Sequence, residues 1–208
     1  MSLLAMVRFS CISIKLLSMQ LNLLWKALEY DSTENCLVEI NPEGTEVTSA
    51  IVGYSEGMIY KVDYRIKTNA QWQTLLLEVS SQHNDRNHLI RLEGDGKGHW
   101  MNNGHEAPEL EGCIDVDIPL TPFTNTLPVG RLQLSPGESN EVLVAYCDLL
   151  AEKISPVRQM YTCISATQYQ YENIPNDFEA IIDVDEFGLI VNYPSLFVRK
   201  AVAGTHYS

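Results

Sequence analysis

The chain has 208 residues, of which 45% are hydrophobic and 20% charged, and its mean hydropathy is -0.09. This is globular composition, neither disordered nor membranous, and a chain of this length buries roughly 70% of its unfolded surface without a disulfide or metal staple. Fourteen basic against 27 acidic side chains leave a formal charge of -13, which repels phosphate backbones and anionic lipid and argues against nucleic-acid partners and polybasic membrane docking.

Met1–Lys26 is apolar-rich, but Arg8 and Lys15 interrupt it and no small-residue cleavage site follows. Met1–Ser18 is therefore expected to be a non-core extension or a start-site artefact, since Met6 and Met19 are alternative starts. The longest uninterrupted apolar run is Val142–Cys147, too short to span a bilayer. Five cysteines (Cys11, Cys36, Cys113, Cys147 and Cys163) form no Cys-x-x-Cys pair. They are expected to be small buried hydrophobes rather than a disulfide framework, a zinc knuckle or reactive thiols. There is no Asn-x-Ser/Thr sequon, and a cytoplasmic location is expected.

From Leu37 onward the pattern is β. Leu37–Ile40 leads through the turn Asn41-Pro42-Glu43-Gly44 into Glu46–Val52, and Met58–Ile66 alternates apolar and polar residues. Trp72–Val79 reads as a strand, and Leu89–Leu92 enters a hairpin at Gly94-Asp95-Gly96-Lys97-Gly98. After Asp115–Asp117, one segment breaks the rhythm: Thr121 at an N-cap and Pro122 at the first helical position predict a short helix over Thr121–Leu127, ended before Pro128. Strands resume at Gly130–Leu134, Glu141–Cys147, Gln159–Thr167, Gln168–Glu172, Phe178–Val184 and Gly188–Tyr193, with a helical turn at Ala151–Lys153.

The two halves share cues. Val38–Pro42 resembles Leu132–Pro136, Gly57–Tyr60 resembles Arg158–Tyr161, and Asp95–Gly98 resembles Asp185–Gly188, in the same order and about ninety residues apart. Two similar β-halves, roughly residues 30–118 and 129–200, are expected. Recurring strand-turn-strand patterns are the plainer alternative.

Asp115-Val116-Asp117 and Asp183-Val184-Asp185 place two carboxylates at i and i+2, on one face of a strand. Such a pair can hold a divalent cation or split two pKa values for acid-base work; a polar strand face in water is the bland alternative. It is weakest for Asp115/Asp117, whose neighbours Thr121, Thr124 and Asn125 are uncharged hydrogen-bonding groups. His83, His88, His99 and His105 lack helical metal spacing and read as solvated loop residues. No phosphate loop and no Gly-x-Ser-x-Gly elbow occurs. Tyr161, Tyr169, Tyr171 and Tyr193 gather in the second half, and Tyr60, Tyr64, Trp72 and Trp100 in the first; such side chains suit amphipathic ligands such as sugars and are also ordinary strand formers.

The run Gly112–Pro128, GCIDVDIPLTPFTNTLP, resembles a bacterial family described as putative glycolipid-binding proteins, whose pattern is a Gly-Cys-hydrophobic-Asp-hydrophobic-Asp strand running into Thr-Pro-Phe-Thr-Asn-Thr-Leu-Pro. Gly98-His99-Trp100, Arg131-Leu132, Gln159, Tyr161-Thr162, Tyr171-Glu172 and Val184–Ile190 agree, and the resemblance covers about Trp25–Arg199, which implies one domain of residues 25–200 with Met1–Leu24 and a tail at 201–208 outside it. It departs at Asp148–Pro156, where the family carries a Pro-containing strand. The resemblance implies a mainly β fold, a spiral β-roll of two half-barrel-like units wrapped around a single short helix. It also implies a non-catalytic binder of a glycolipid or related amphipathic ligand, held in a cavity between the half-barrels. On motif matches and hydrogen-bonding capacity, the candidate ligand-binding residues are Asp115, Asp117, Thr124, Asn125, Arg131, Gln159, Tyr161 and Tyr171. No cofactor or metal is expected. The alternatives are a sugar- or lipid-processing enzyme using Asp115/Asp117, and a protein-interaction module.

Overall fold

A computed structural model describes residues 18–83 and 86–206. One sheet of fifteen strands dominates it. β1 (Met19–Ala27), β2 (Ser32–Asn41), β3 (Gly44–Ser55), β4 (Met58–Thr68), β5 (Thr74–His83), β6 (Arg86–Gly94), β7 (Trp100–Asn102) and β8 (His105–Glu106) run outward in sequence order as one arm. β9 (Asp115–Asp117) begins the other arm at the far edge. From there β10 (Ser139–Asp148), β11 (Lys153–Ser165), β12 (Gln168–Ile174), β13 (Glu179–Val184), β14 (Ile190–Tyr193) and β15 (Phe197–His206) return inward until β15 pairs with β1. Neighbours are antiparallel throughout except β9, which lies parallel to β10. Burial alternates along the long strands, so each presents one face to the interior and one to water.

The sheet curls around the segment between the arms. Residues 120–129 are buried without a break, and such a segment must satisfy its own backbone. It does so through side chains: the Thr121 hydroxyl accepts from the Phe123 N–H at 3.0 Å and Thr124 Oγ1 from the Ile118 N–H at 3.3 Å. Leu127 belongs to the core that the first arm shares with this segment, and Val129 to the core of the second arm. Ile114 ties the arms together, since its carbonyl accepts from Thr74 at the start of β5 and its N–H donates to Leu143 of β10.

Several expectations are corrected. The helix α1 spans Thr126–Leu132 after a 3-10 turn at Phe123–Asn125; it starts later than Thr121 and runs through Pro128. Proline is tolerated there because first-turn N–H groups have no helical partner to lose. Gly130–Leu132 is thus helical rather than strand, and the helix ends at Gln133 in the left-handed conformation (φ 47°). Gly130 has a packing reason: a Cβ there would stand 2.7 Å from the Trp72 indole. Trp72 itself precedes β5 in a turn with φ 62°, so that strand begins only at Thr74. Ala151–Lys153 forms no helical turn; it belongs to the β10–β11 hairpin, with Asp148 Oδ1 accepting from the Ala151 N–H, and Pro156 continues β11 opposite Ala145. Pro156 is accommodated because β12 reaches only Arg158, leaving that end of β11 uncovered on one side.

The sheet also reaches into both segments placed outside the domain by sequence. β1 buries Met19, Leu21 and Leu23 in mid-sheet, and β15 extends to His206. Residues 1–17, with Cys11, lie outside the described residues; the other four cysteines are buried free thiols. His83 is buried at the end of β5 and His88 lies within β6, whereas His99 and His105 are exposed.

Of the paired cues, the two aspartate turns match in detail. Asp95 Oδ1 accepts from the N–H groups of Lys97 and His99, and Asp185 Oδ1 from those of Phe187 and Leu189. Each is closed by a backbone bond across the same four residues and carries a positive-φ glycine, Gly98 (101°) or Gly188 (77°). The pair Val38–Pro42 and Leu132–Pro136 does not match, since the former lies in β2 and its turn and the latter at the end of α1 and beyond.

Candidate functional site

The acidic strand β9 is buried on both faces: Asp115 and Val116 are as inaccessible as a hydrophobic core. Parallel strands covered on both sides have this character, and the register with Val144–Tyr146 holds β9 in place. The two carboxylates nevertheless serve different surroundings, which corrects their reading as one pair.

Asp115 faces the helix. Arg131, in the last turn of α1, donates from Nε at 3.1 and 3.2 Å and from Nη2 at 2.5 Å, a bidentate clamp. Burial pushes the Asp115 carboxyl upward and the guanidinium opposes it. A metal ion or substrate would have to displace Arg131 to reach this carboxylate.

Among the described residues no cation pairs with Asp117. Its Oδ1 accepts from the Thr124 hydroxyl at 2.8 Å and its Oδ2 from Gln159 Nε2 at 2.6 Å. Burial raises its pKa, with these two donors opposing. The bonds continue backward: Tyr161 donates to Gln159 Oε1 at 3.3 Å and accepts from Asn125 Nδ2 at 2.9 Å. Asn125, Tyr161 and Gln159 thus form a chain of neutral donors polarised toward one buried carboxylate.

In front of this network lies a cleft of about 400 Å³, partly open to solvent, within the size range of small-molecule sites. Asp117 and Asn125 reach it, with Thr121 beside them. Its walls are aromatic: Tyr30, Tyr146, Tyr171, Phe178, Tyr193 and Phe197. Tyr171 stands edge-on to Tyr161 (5.4 Å between ring centres) and to Tyr193 (6.0 Å), and Phe178 and Phe197 tilt against Tyr193. Burial pushes the Tyr146, Tyr171 and Tyr193 phenols up, so all remain protonated donors at neutral pH.

Of the eight residues expected to bind ligand, Asp117, Asn125 and Tyr171 line the cleft, and Thr124, Gln159 and Tyr161 lie directly behind it. Asp115 and Arg131 do not line it; they pair with each other. The second acidic pair does not line this cleft. Asp183 accepts from Gln168 and Asn192, and Asp185 pairs with Arg199 at 2.6 Å. The cleft belongs mainly to the second arm, with Glu29 and Tyr30 contributed by the β1–β2 connection. Sequence reasoning missed Tyr30, Tyr146, Phe178 and Phe197, which carry no motif and converge only through the curl.

A second buried carboxyl also went unnoticed. Glu34 of β2 is 3% exposed; its Oε1 accepts from Ser49, Tyr64 and Thr121 at 2.7, 2.7 and 2.9 Å, while Oε2 has no hydrogen-bond partner among the described residues. Burial outweighs the three hydroxyls and pushes its pKa up to about 7. Through Thr121 this group abuts the segment that floors the cleft.

Comparison with known proteins places the geometry in context. The profile of a family described as putative glycolipid-binding matches residues 22–199. A crystal structure of a DUF1089 family protein from Pseudomonas aeruginosa is similar, with 33% identity and a TM-score of 0.74, covering 80% of this chain and 91% of that one. A β-barrel-like protein of the DUF1849 domain of unknown function from Brucella abortus shares the fold at 9% identity and a TM-score of 0.55, covering 93% of this chain and 99% of that one. No curated protein matches.

Proposed function

Since the chain belongs to the putative glycolipid-binding family, we propose that it binds a glycolipid or related amphipathic molecule, without transforming it, in the cleft of the second arm. The observation that carries this reading is the pairing of aromatic walls with a polar floor. Tyr171, Tyr193 and Phe178 offer apolar faces for a sugar ring or the start of an alkyl chain. Asp117 and Asn125 offer an acceptor and an amide fixed from behind by Thr124 and Tyr161. The tyrosine hydroxyls add donors that a polyol can meet.

The enzymatic alternative draws on Asp117, a buried carboxyl of raised pKa in a cleft. It lacks the second carboxylate it was built on, because Arg131 occupies Asp115. A cytoplasmic location remains part of the proposal, supported by four cysteines buried as free thiols. Among the described residues no helix is long and apolar enough to cross a membrane.

The test is native mass spectrometry of protein purified from its own cells, with lipid extraction of the same sample. The expected result is a defined excess mass matching an extracted glycolipid, lost in Tyr171→Ala, and recovered chemically unchanged after incubation. A ligand retained by both Tyr171→Ala and Asn125→Ala would move the site elsewhere, and one returned cleaved would establish the enzymatic reading.

A further inference from the structure

The cleft carries charge of one sign. Glu29 and Asp117 are its charged side chains, and among the described residues no Lys, Arg or His lines it. Asp117 lies near enough to raise the phenols of Tyr30, Tyr146, Tyr171 and Tyr193, and Asp148 those of Tyr30 and Tyr146. Three arginines of this arm are engaged elsewhere, Arg131 with Asp115, Arg158 with Glu141 and Arg199 with Asp185. Sites for phosphate, sulfate or carboxylate supply cationic or backbone N–H donors aimed at the anion. Here the charge-bearing groups aimed into the cavity are carboxylates.

We propose that the cleft admits glycosyl headgroups that are uncharged or carry an amine, and rejects phosphorylated, sulfated or uronic-acid headgroups. This rests on the reading of the cleft as the amphiphile site and sharpens it to a ligand class. An uncharged sugar stacks its C–H face on Tyr171 or Tyr193 and gives hydroxyl protons to Asp117. An amine gains from the same carboxylate and from the electron-rich ring faces. An anionic substituent gains nothing from either and is repelled by Asp117 and Glu29.

The test uses three amphiphiles that differ only at the sugar: octyl glucoside, octyl 2-amino-2-deoxyglucoside and octyl glucuronide. Each is titrated calorimetrically into the full chain below its micelle concentration. The expected result is binding of the first two, with the glucuronide about tenfold weaker or more, equivalent to about 1.4 kcal/mol. The gap should narrow in 0.5 M salt and in Glu29→Gln, an exposed substitution that leaves the core untouched. It should narrow further in Asp117→Asn. Glucuronide binding equal to or tighter than the glucoside would overturn the charge inference while leaving the cleft as the site. No binding by any of the three would overturn the binder reading, and this inference with it.

Discussion

Replacing Glu34 by Gln isolates the energetic cost of a single buried carboxylate. Its pKa rises from an ordinary 4.5 to about 7 in the folded chain, with burial as the largest cause. The folded state therefore holds this proton more tightly than the unfolded state between those values. The contribution of Glu34 to stability is full below about pH 4.5, falls as pH rises, and is gone above about pH 7. The loss is about 3 kcal/mol, since each pKa unit is worth about 1.4 kcal/mol. Gln keeps an oxygen that can accept from Ser49, Tyr64 and Thr121 but cannot ionise. Urea denaturation of wild type and Glu34→Gln at pH 5 and pH 8 gives two differences in unfolding free energy. Because every other titrating group is common to both proteins, their change with pH reports Glu34 alone. The variant should gain about 2–3 kcal/mol relative to wild type on going from pH 5 to pH 8. Equal differences at the two pH values would refute the reasoning and show that Glu34 titrates as a solvated carboxyl.

Arg131→Met should cost about 3–5 kcal/mol in urea denaturation, because it leaves Asp115 buried and unpaired. Adding Asp115→Asn should recover much of that loss, and additive losses would show that the pair is not coupled. Gly130→Ala should destabilise by about 1–3 kcal/mol despite the better helix propensity of Ala, since the new methyl meets the Trp72 indole; a thermal midpoint at or above wild type would contradict this packing. Asp185→Ala should destabilise more than Asp95→Ala in the same assay, since both lose a turn acceptor but only Asp185 also holds a largely buried arginine, Arg199.

Much of the fold was legible because most strands follow one rule. Met58–Ile66 alternates in sequence and alternates in burial, so register and facing could be read directly. What was illegible depends on distant partners. β1 reads as part of an apolar-rich N-terminal extension although Met19–Ala27 alternates, and only pairing with β2 and β15 makes it a central strand. Trp72 looked like a strand former and instead folds back onto Gly130, a contact between the first arm and the helix. Pro128 read as a helix stop because a local rule cannot see where the helix begins.

The acidic strand shows the same limit at the site. Spacing of two residues placed Asp115 and Asp117 on one face, and shared facing suggested shared chemistry. The curl of the sheet separates their surroundings instead. Arg131, fixed by α1, reaches Asp115 and cancels its charge, whereas Thr124 and Gln159 reach Asp117 with neutral dipoles only. A neutralised carboxylate is a structural fastening, and a carboxylate held by dipoles keeps its field available to whatever enters the cleft. The arginine that fastens β9 to the helix is thus also what leaves Asp117 as the single acidic residue of β9 facing the cleft. That division predicts opposite signatures for the pair. Loss of Asp115 or Arg131 should appear in unfolding free energy, and loss of Asp117 in the discrimination between neutral and anionic headgroups.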